Sequence, residues 1–204
     1  MLPEALLNKT ITAWDRLSWP WIRLWCRLNG VTVGAEVHCV GIPIITTQPE
    51  SVLHVGARVV LCSRSRSTAL GVSHPVILRT LVSGARLEIG DDTGISGASI
   101  CAMEDVVIKS QCLIRANCIV VDTDFHSLAA TDRRYGTGPE SVKSSPVHIG
   151  NNVFLGAGTI VLKGVTIGDN SVLGAGAVVT RNIPENSIAA GNPARVLRQF
   201  RNEC

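Results

Sequence analysis

A histidine follows two carboxylates and a phenylalanine in one irregular stretch of the sequence. Residues 119–140 read IVVDTDFHSLAATDRRYGTGPE, with Asp122 and Asp124 before Phe125 and His126. An imidazole titrates near neutral pH, so His126 is suited to accept a proton from a hydroxyl group, and a carboxylate beside it can fix its tautomer. A histidine alone in a polar loop is more simply interpreted as a surface residue. The hypothesis that His126 is a general base therefore depends on the elements that hold this stretch.

The sequence after this stretch follows a six-residue repeat. From Ile149 to Val179 every sixth residue is aliphatic, and glycine follows four of these residues. The series is Ile149, Leu155, Val161, Ile167, Leu173 and Val179. A period of six excludes an α-helix, and glycine recurs too often for an uninterrupted strand. Short strands joined by tight corners fit both observations, and hexapeptide repeats of this kind are typical of parallel β-helices.

The same spacing appears upstream in a less regular form. Ile108 and Ile114 keep the six-residue step, whereas Ile89 and Ile95 keep it one residue out of phase. This shift indicates a single-residue insertion at about 101–107.

The irregular stretch interrupts the repeat. Val120 and Ile149 are 29 residues apart, which is not a multiple of six, so the segment 123–146 has to leave the coil. Loops that leave a rigid scaffold commonly carry function. We therefore predict an all-β chain with a single β-helix over residues 31–190 and an extruded loop at 123–146.

A short helical segment is predicted at residues 1–30, and a C-terminal tail at 191–204. Apolar side chains recur at helical spacing in the first of these, with arginines at other positions. The apolar residues are Trp14, Leu17, Trp21, Leu24, Trp25 and Leu28, and the arginines are Arg16, Arg23 and Arg27. The favoured interpretation is a helix that caps the open end of the β-helix or packs on a neighbouring subunit. The alternative is peripheral attachment to the inner face of the cytoplasmic membrane, where tryptophan and arginine are favoured.

Composition excludes several classes of partner and compartment. Lysine and arginine number 19 against 16 acidic residues, so no basic surplus indicates a nucleic-acid partner. The seven cysteines include no CxxC pair, and several lie in apolar runs, which is typical of reduced thiols in a cytosolic protein. The N-terminus lacks the features of a signal peptide, and no apolar run is long enough to span a membrane. We therefore expect a cytoplasmic protein.

The C-terminal half resembles a known family. The stretch VHIGNNVFLGAGTIVLKGVTIGDNSVLGAGAVVTRNIPENSIAAGNPARVLRQF is similar to the hexapeptide-repeat acyltransferases, in the branch of the galactoside and maltose O-acetyltransferases with the nodulation-factor and capsular-polysaccharide O-acetyltransferases. The resemblance covers about residues 76–200. It implies a left-handed β-helix and a homotrimer with active sites between subunits. It also implies direct use of acetyl-CoA, with no covalent enzyme intermediate and no metal.

The resemblance assigns catalytic and cofactor roles to particular residues. His126 matches the family's general base, and both Asp122 and Asp124 stay open as the group that orients it. The backbone N–H of Ala157, in FLGAG, matches the donor to the oxyanion. Coenzyme A would lie along Ala157, Ala175, Thr180, Arg181, Arg195 and Arg198, with the two last arginines near its phosphates because the guanidinium fork suits phosphate.

The acceptor side matches less well. Phe154 stands where galactoside enzymes have a tryptophan that lines the acceptor pocket, and the extruded loop, with Phe125 and Tyr135, would select the acceptor. Gly97, in GISGAS, stands where galactoside and maltose enzymes carry an asparagine that binds the sugar. A free galactoside or maltose is therefore not the expected acceptor.

The activity that the resemblance implies is acetyl transfer from acetyl-CoA to a sugar or polysaccharide hydroxyl, as in polysaccharide biosynthesis. Serine, amino-sugar or antibiotic acceptors are alternatives, and so is a scaffold without activity. Carbonic anhydrases of the same fold bind zinc through three histidines, but Ala157 replaces one of those ligands here. The other histidines, which are His38, His54, His74 and His148, show no ligand spacing with His126. No metal is therefore expected.

Overall fold

A computed structural model describes residues 13–129, 133–135 and 141–200. Helix α1 spans Ala13–Leu28, and a short 3-10 helix spans Ser65–Ser67. The strands are β1 (Val31–Val33), β2 (His38–Val40), β3 (Ile44–Thr46), β4 (Val52–Val55), β5 (Val60–Cys62), β6 (Ile77–Thr80), β7 (Arg86–Ile89), β8 (Gly94–Ser96), β9 (Ser99–Ala102), β10 (Asp105–Ile108), β11 (Leu113–Ile114), β12 (Ile119–Val121), β13 (Val147–Ile149), β14 (Phe154–Leu155), β15 (Ile160–Val161), β16 (Thr166–Ile167), β17 (Val172–Leu173), β18 (Val178–Val179), β19 (Ser187–Gly191) and β20 (Ala194–Gln199).

The described strands form three sheets that run along the molecule. Sheet 1 has the order β1-β4-β7-β10-β13-β16, sheet 2 the order β2-β5-β8-β11-β14-β17-β19-β20, and sheet 3 the order β3-β6-β9-β12-β15-β18. Successive strands up to β18 therefore fall in successive sheets. Each strand from β1 to β15 pairs in parallel with the strand three places further along the chain. This arrangement confirms the predicted all-β parallel β-helix, in which each coil gives one strand to each sheet.

The aliphatic residues of the repeat point into the coil and stack on one another. Leu155, Val161 and Ile167 are at most 1 % exposed. Leu155 pairs with Ile114 on one side and with Leu173 on the other, so an aliphatic side chain occupies the same position in successive coils. Burying each such side chain contributes about 1.5–3 kcal/mol, which makes these columns the main source of stability.

The irregular upstream spacing has two causes. Ile95, Ile100 and Ile108 all point inward, and they are separated by five and eight residues instead of six. One residue is missing near Gly97, and two are added around Met103, where the chain turns from β9 to β10. The predicted insertion is therefore right as a net count, but it hides a compensating deletion.

The corners between the sheets position the candidate site. We call them corner 1–2, corner 2–3 and corner 3–1, after the sheets that they join. The chain leaves the coil at corner 3–1, after β12 in sheet 3, and returns at β13 in sheet 1. The extruded segment thus belongs to one corner of the prism.

Helix α1 lies at the N-terminal end of the stack. It contacts β1 and β2, the first strands of sheets 1 and 2. Cys26 is 1 % exposed and joins the core, and Ile22 packs against it. The carbonyl of Asn29 accepts a hydrogen bond from Thr47 Oγ1 at 3.0 Å, which ties the end of the helix to the first coil. In the part of the chain that the structure describes, no helix is long and apolar enough to cross a membrane.

Candidate active site

The extruded segment is anchored by a buried carboxylate at its start. Asp122 is fully buried and accepts hydrogen bonds from the backbone N–H groups of Met103, Glu104 and Asp105, at 2.7, 2.7 and 2.9 Å. Burial raises the pKa of Asp122, and the three backbone donors oppose that rise. Both of its carboxylate oxygens are bonded to the turn of the preceding coil. Asp122 therefore anchors the start of the loop to that coil.

The two ends of the segment close on each other above this anchor. The Asp124 N–H donates to the carbonyl of Lys143 at 3.2 Å, and the Ser145 N–H donates to the carbonyl of Asp122 at 2.9 Å. Ser144 lies opposite Thr123 in an antiparallel bridge. The first and last residues of the loop are therefore held together by backbone hydrogen bonds at the loop base, where the loop leaves the coil.

Asp124 lies at this base with one carboxylate oxygen engaged. Its Oδ1 accepts a hydrogen bond from Lys163 Nζ, which belongs to corner 3–1 of the next coil. Its Oδ2 is buried and has no hydrogen-bond partner among the described residues. An unpaired buried carboxylate oxygen is costly, so this atom is a place where a ring N–H would be stabilised.

His126 lies two residues beyond Asp124. It is exposed in the single chain, and so is Phe125, whereas Ser127 is buried. Phe125 has a φ of 61°, and its N–H donates to Thr123 Oγ1 at 3.2 Å. The exposed Tyr135, further along the loop, has the Arg134 guanidinium 5.5 Å from its ring centroid.

A second set of predicted residues lies at corner 2–3. Residues 156–159 form a turn in which the Thr159 N–H donates to the carbonyl of Gly156 at 3.1 Å, and Gly158 has a φ of 70°. These values describe a type II turn with Ala157 at its second position. The Ala157 carbonyl accepts from the Gly176 N–H at 2.8 Å. Its own N–H has no acceptor among the described residues.

The same turn recurs one coil further along. Ala177 N–H donates to the carbonyl of Gly174 at 3.1 Å, Gly176 has a φ of 70°, and Ala175 is exposed. Phe154, on the outer side of sheet 2, is 36 % exposed. Corner 2–3 and the adjoining face therefore offer backbone donors, small side chains and one aromatic ring.

The remaining predicted residues lie partly at corner 3–1 and partly at the end of sheet 2. Thr180 and Arg181 follow β18 at corner 3–1, on the same side as the loop, and both are exposed. Arg195 and Arg198 are exposed on β20, which pairs with β19 at the end of sheet 2. Within one chain, the structure does not bring His126 and Ala157 together, because they lie at different corners of the prism.

Sequence reasoning missed Lys163. It is one of two charged residues between Ile149 and Val179, the other being Asp169, so its place in a corner of the repeat was a visible signal. Asp169 has a structural role within the coil. It accepts hydrogen bonds from the Asn151 N–H at 2.8 Å and from Asn151 Nδ2 at 3.2 Å, and these bonds lower its pKa.

A metal-binding arrangement is not found in the described ranges. No group of three or more His, Cys, Asp or Glu side chains there could hold an ion.

The repeat is similar in sequence to that of known proteins. Residues 146–181 match a family model described as the hexapeptide repeat of succinyl-transferase. A Staphylococcus aureus (strain COL) protein named "Putative acetyltransferase" is 52 % identical over 61 residues, which is 30 % of this chain and 31 % of that protein. A Schizosaccharomyces pombe protein of the same name is 57 % identical over 58 residues, 28 % of each. The chain thus spans about a third of the length of the curated relatives that it matches.

Solved structures show the same fold over most of the chain. A galactoside acetyltransferase in complex with coenzyme A has a TM-score of 0.59 at 23 % identity, covering 98 % of this chain and 85 % of that one. A mutant of AntD, an N-acyltransferase from Bacillus cereus, in complex with dTDP and coenzyme A has a TM-score of 0.57 at 17 % identity, covering 89 % of each. The family match confirms the predicted hexapeptide repeat over residues 146–181, and these structures share the fold over most of the chain.

Proposed function

We propose that this protein is an acetyl-CoA-dependent O-acetyltransferase that modifies a sugar or polysaccharide hydroxyl. The observation that carries the proposal is His126, on a loop that breaks the repeat, two residues from an Asp124 whose buried Oδ2 has no partner among the described residues. The names of the relatives and the coenzyme A bound in two structures of the same fold support the choice of acetyl donor.

The reaction needs a base, an oxyanion donor and a leaving group that is reprotonated. A ring nitrogen of His126 takes the proton of the acceptor hydroxyl as its oxygen attacks the thioester carbonyl carbon. The Ala157 N–H, which has no acceptor among the described residues, donates to the oxyanion of the tetrahedral intermediate. The C–S bond then breaks, and the imidazolium returns the proton to the sulfur of coenzyme A. Asp124 is the positioning residue for the other ring N–H.

The proposed assembly is a homotrimer of left-handed β-helices. If His126 and Ala157 serve one reaction, the two have to come from different chains, because a single chain holds them at corner 3–1 and corner 2–3. In a cyclic assembly, corner 3–1 of one protomer can face corner 2–3 of its partner, which completes each site.

The cofactor and acceptor would bind in this groove between chains. The exposed Arg195 and Arg198 suit the phosphates of coenzyme A, because a guanidinium donates two bonds to one phosphate. Ala175, Thr180 and Arg181 would line its remaining length. Phe125, Tyr135 and Phe154 offer exposed aromatic surface for the acceptor.

A cytoplasmic location is also part of the proposal. The six cysteines of the described ranges are buried and form no disulfide with one another, which fits a reducing compartment.

An acceptor screen that follows coenzyme A release tests this function. Purified protein with acetyl-CoA is mixed separately with oligosaccharides, monosaccharides, serine, amino sugars and aminoglycosides, and free thiol is measured. Thiol release that requires a glycan hydroxyl supports the proposal. Release only with serine or an amine would reject the acceptor class, and no release with any acceptor would favour a scaffold.

A further inference from the structure

Helix α1 exposes an apolar stripe that its packing on the β-helix does not use. Trp21, Leu24, Trp25 and Leu28 are 73, 48, 44 and 76 % exposed. Their spacing of three and four residues places them on one face of the helix. The core contact is made from another face, by Cys26 and Ile22.

This exposed stripe, which we call the α1 stripe, is more than capping requires. A helix that only closes the end of a coil needs one apolar face, directed at the core. Here a second apolar face carries two tryptophans, and the whole chain has its four tryptophans between residues 14 and 25. A contiguous exposed apolar patch on a protein surface marks an interaction site.

The charge near the α1 stripe is mainly positive. Residues 16–35 contain three arginines and no aspartate or glutamate, and the nearest acidic residues in the sequence are Asp15 and Glu36. Arg23 and Arg27 lie one helical turn apart, and both are exposed, with Arg23 Nη2 3.5 Å from the Gly34 carbonyl. Tryptophan and leucine beside arginine is the composition of helices that lie in the headgroup region of a membrane, where the cations meet lipid phosphates.

The position of the helix favours a lipid surface over a second copy of the chain. The helix contacts β1 and β2, which are the edge strands of sheets 1 and 2, so it lies at one end of the stack and not along its sides. If the proposed trimer packs prism beside prism, its three α1 helices lie at the same end. Three weak contacts on one plane then reinforce one another.

We propose that helix α1 binds the protein to the surface of an anionic phospholipid membrane through the α1 stripe, with Arg27 beside the lipid phosphates. The reinforcement between helices rests on the proposed trimer, whereas the inference itself does not depend on the acetyl-transfer reaction.

Vesicle binding by the full chain tests this proposal. Vesicles of phosphatidylcholine, alone or mixed with phosphatidylglycerol, are floated through a density gradient with the protein. Because every tryptophan lies between residues 14 and 25, tryptophan fluorescence excited at wavelengths that tyrosine does not absorb reports on this segment alone. Wild-type protein is expected to float with the mixed vesicles and to shift its emission to shorter wavelength, and added salt should weaken binding.

Matched variants identify the surface. The double variant W21S/W25S is expected to lose at least ~10-fold in partitioning, because two interfacial anchors are removed. The variant L24S/L28S, which keeps the tryptophan signal, should show the same loss, and R27Q should lose its preference for phosphatidylglycerol. Leu70→Ser is the control, because Leu70 is 71 % exposed outside the helix. Unchanged circular dichroism shows that each variant is folded.

Three results would overturn the inference. Wild-type protein that stays unbound with both kinds of vesicle excludes a membrane. Binding that survives in both double variants places the contact elsewhere. A change of oligomeric state in W21S/W25S without vesicles, together with no lipid binding by the wild type, would show that another copy of the chain covers the α1 stripe.

Discussion

Phe125 adopts a left-handed backbone immediately before His126, with a φ of 61°. A bulky residue in that region costs about 1–3 kcal/mol, and it persists only where the surroundings fix it. The bond from its N–H to Thr123 Oγ1 and the paired loop base supply that constraint. The backbone conformation of Phe125 therefore sets the direction in which the chain continues to His126.

Replacing His126 tests its role as a base. His126→Ala should lower kcat by at least ~100-fold while the affinity for coenzyme A persists, because only the proton acceptor is removed. Steady-state thiol release gives kcat, and calorimetric titration gives coenzyme A binding. His38→Ala, at an exposed position of β2 in the first coil, should keep full activity. Activity retained in His126→Ala would reject the assignment.

Replacing Ala157 by proline tests the backbone donor without removing a side chain that could bind. Proline suits the second position of a type II turn, so the fold should persist while the N–H is lost. The expected loss in kcat is about 10²–10³-fold. Ala35→Pro, at corner 1–2 of the first coil and just before Glu36 with its φ of 54°, is the control and should be active. Equal activity in both variants would exclude Ala157 as the oxyanion donor.

The sequence predicts a candidate base more readily than the residues that would support it. The break in the repeat predicts the loop, and the loop contains one histidine. Choosing between Asp122 and Asp124 needed the structure, because the choice depends on which carboxylate lies over the backbone N–H groups of residues 103–105. The partner of Asp124, Lys163, lies 39 residues away, and the distance across coils cannot be read from local spacing.

At the scale of elements, the extruded loop and the next coil are joined by Lys163 and Asp124. Lys163→Ala should lower kcat by about 10-fold or more with little change in the KM for acetyl-CoA, because it leaves the Asp124 carboxylate unpaired and displaces the loop. Lys163→Arg should restore part of the rate. Lys109→Ala, at another exposed corner, is the control. A kcat of Lys163→Ala equal to that of wild type would show that the pair does not position the loop.

The elements of the repeat were predictable, whereas their irregularities were not. Stacked Leu155, Val161 and Ile167 follow directly from the six-residue period, since every inward position is aliphatic. The deletion of one residue near Gly97 and the insertion of two near Met103 leave a net insertion of one residue in the sequence. The two changes can be told apart only from the register of the sheets. Handedness is likewise not encoded in a period.

At the scale of the whole molecule, buried thiols make stability sensitive to alkaline pH. Burial raises the pKa of Cys112 and of Cys118 from 9.0 to about 11. Below pH 9 the thiols are protonated in both states, so they add no pH dependence. Between pH 9 and 11 they ionise only on unfolding, so folding stability should fall by up to about 2–3 kcal/mol per thiol.

Urea unfolding across this pH range checks the effect. Cys118→Ala should show a shallower loss of stability with rising pH than wild type, whatever its stability at neutral pH. A slope identical to wild type would mean that Cys118 does not titrate as a buried thiol.

The proposed division of the site between two corners makes the proposed homotrimer part of the chemistry. A homotrimer of His126→Ala lacks every base, and a homotrimer of Ala157→Pro lacks every oxyanion donor. Mixed trimers contain sites in which one chain supplies His126 and its partner supplies Ala157. With random mixing, roughly one quarter of the sites are intact.

Coenzyme A release by such mixtures is the most direct test of the account. The two inactive variants are co-expressed or refolded together, and the acceptor-dependent rate is compared with that of each variant alone. The account predicts recovery of roughly one quarter of the wild-type rate. No recovery in mixtures that are shown to contain both chains would contradict it, because the base and the oxyanion donor would then act within one chain or not at all.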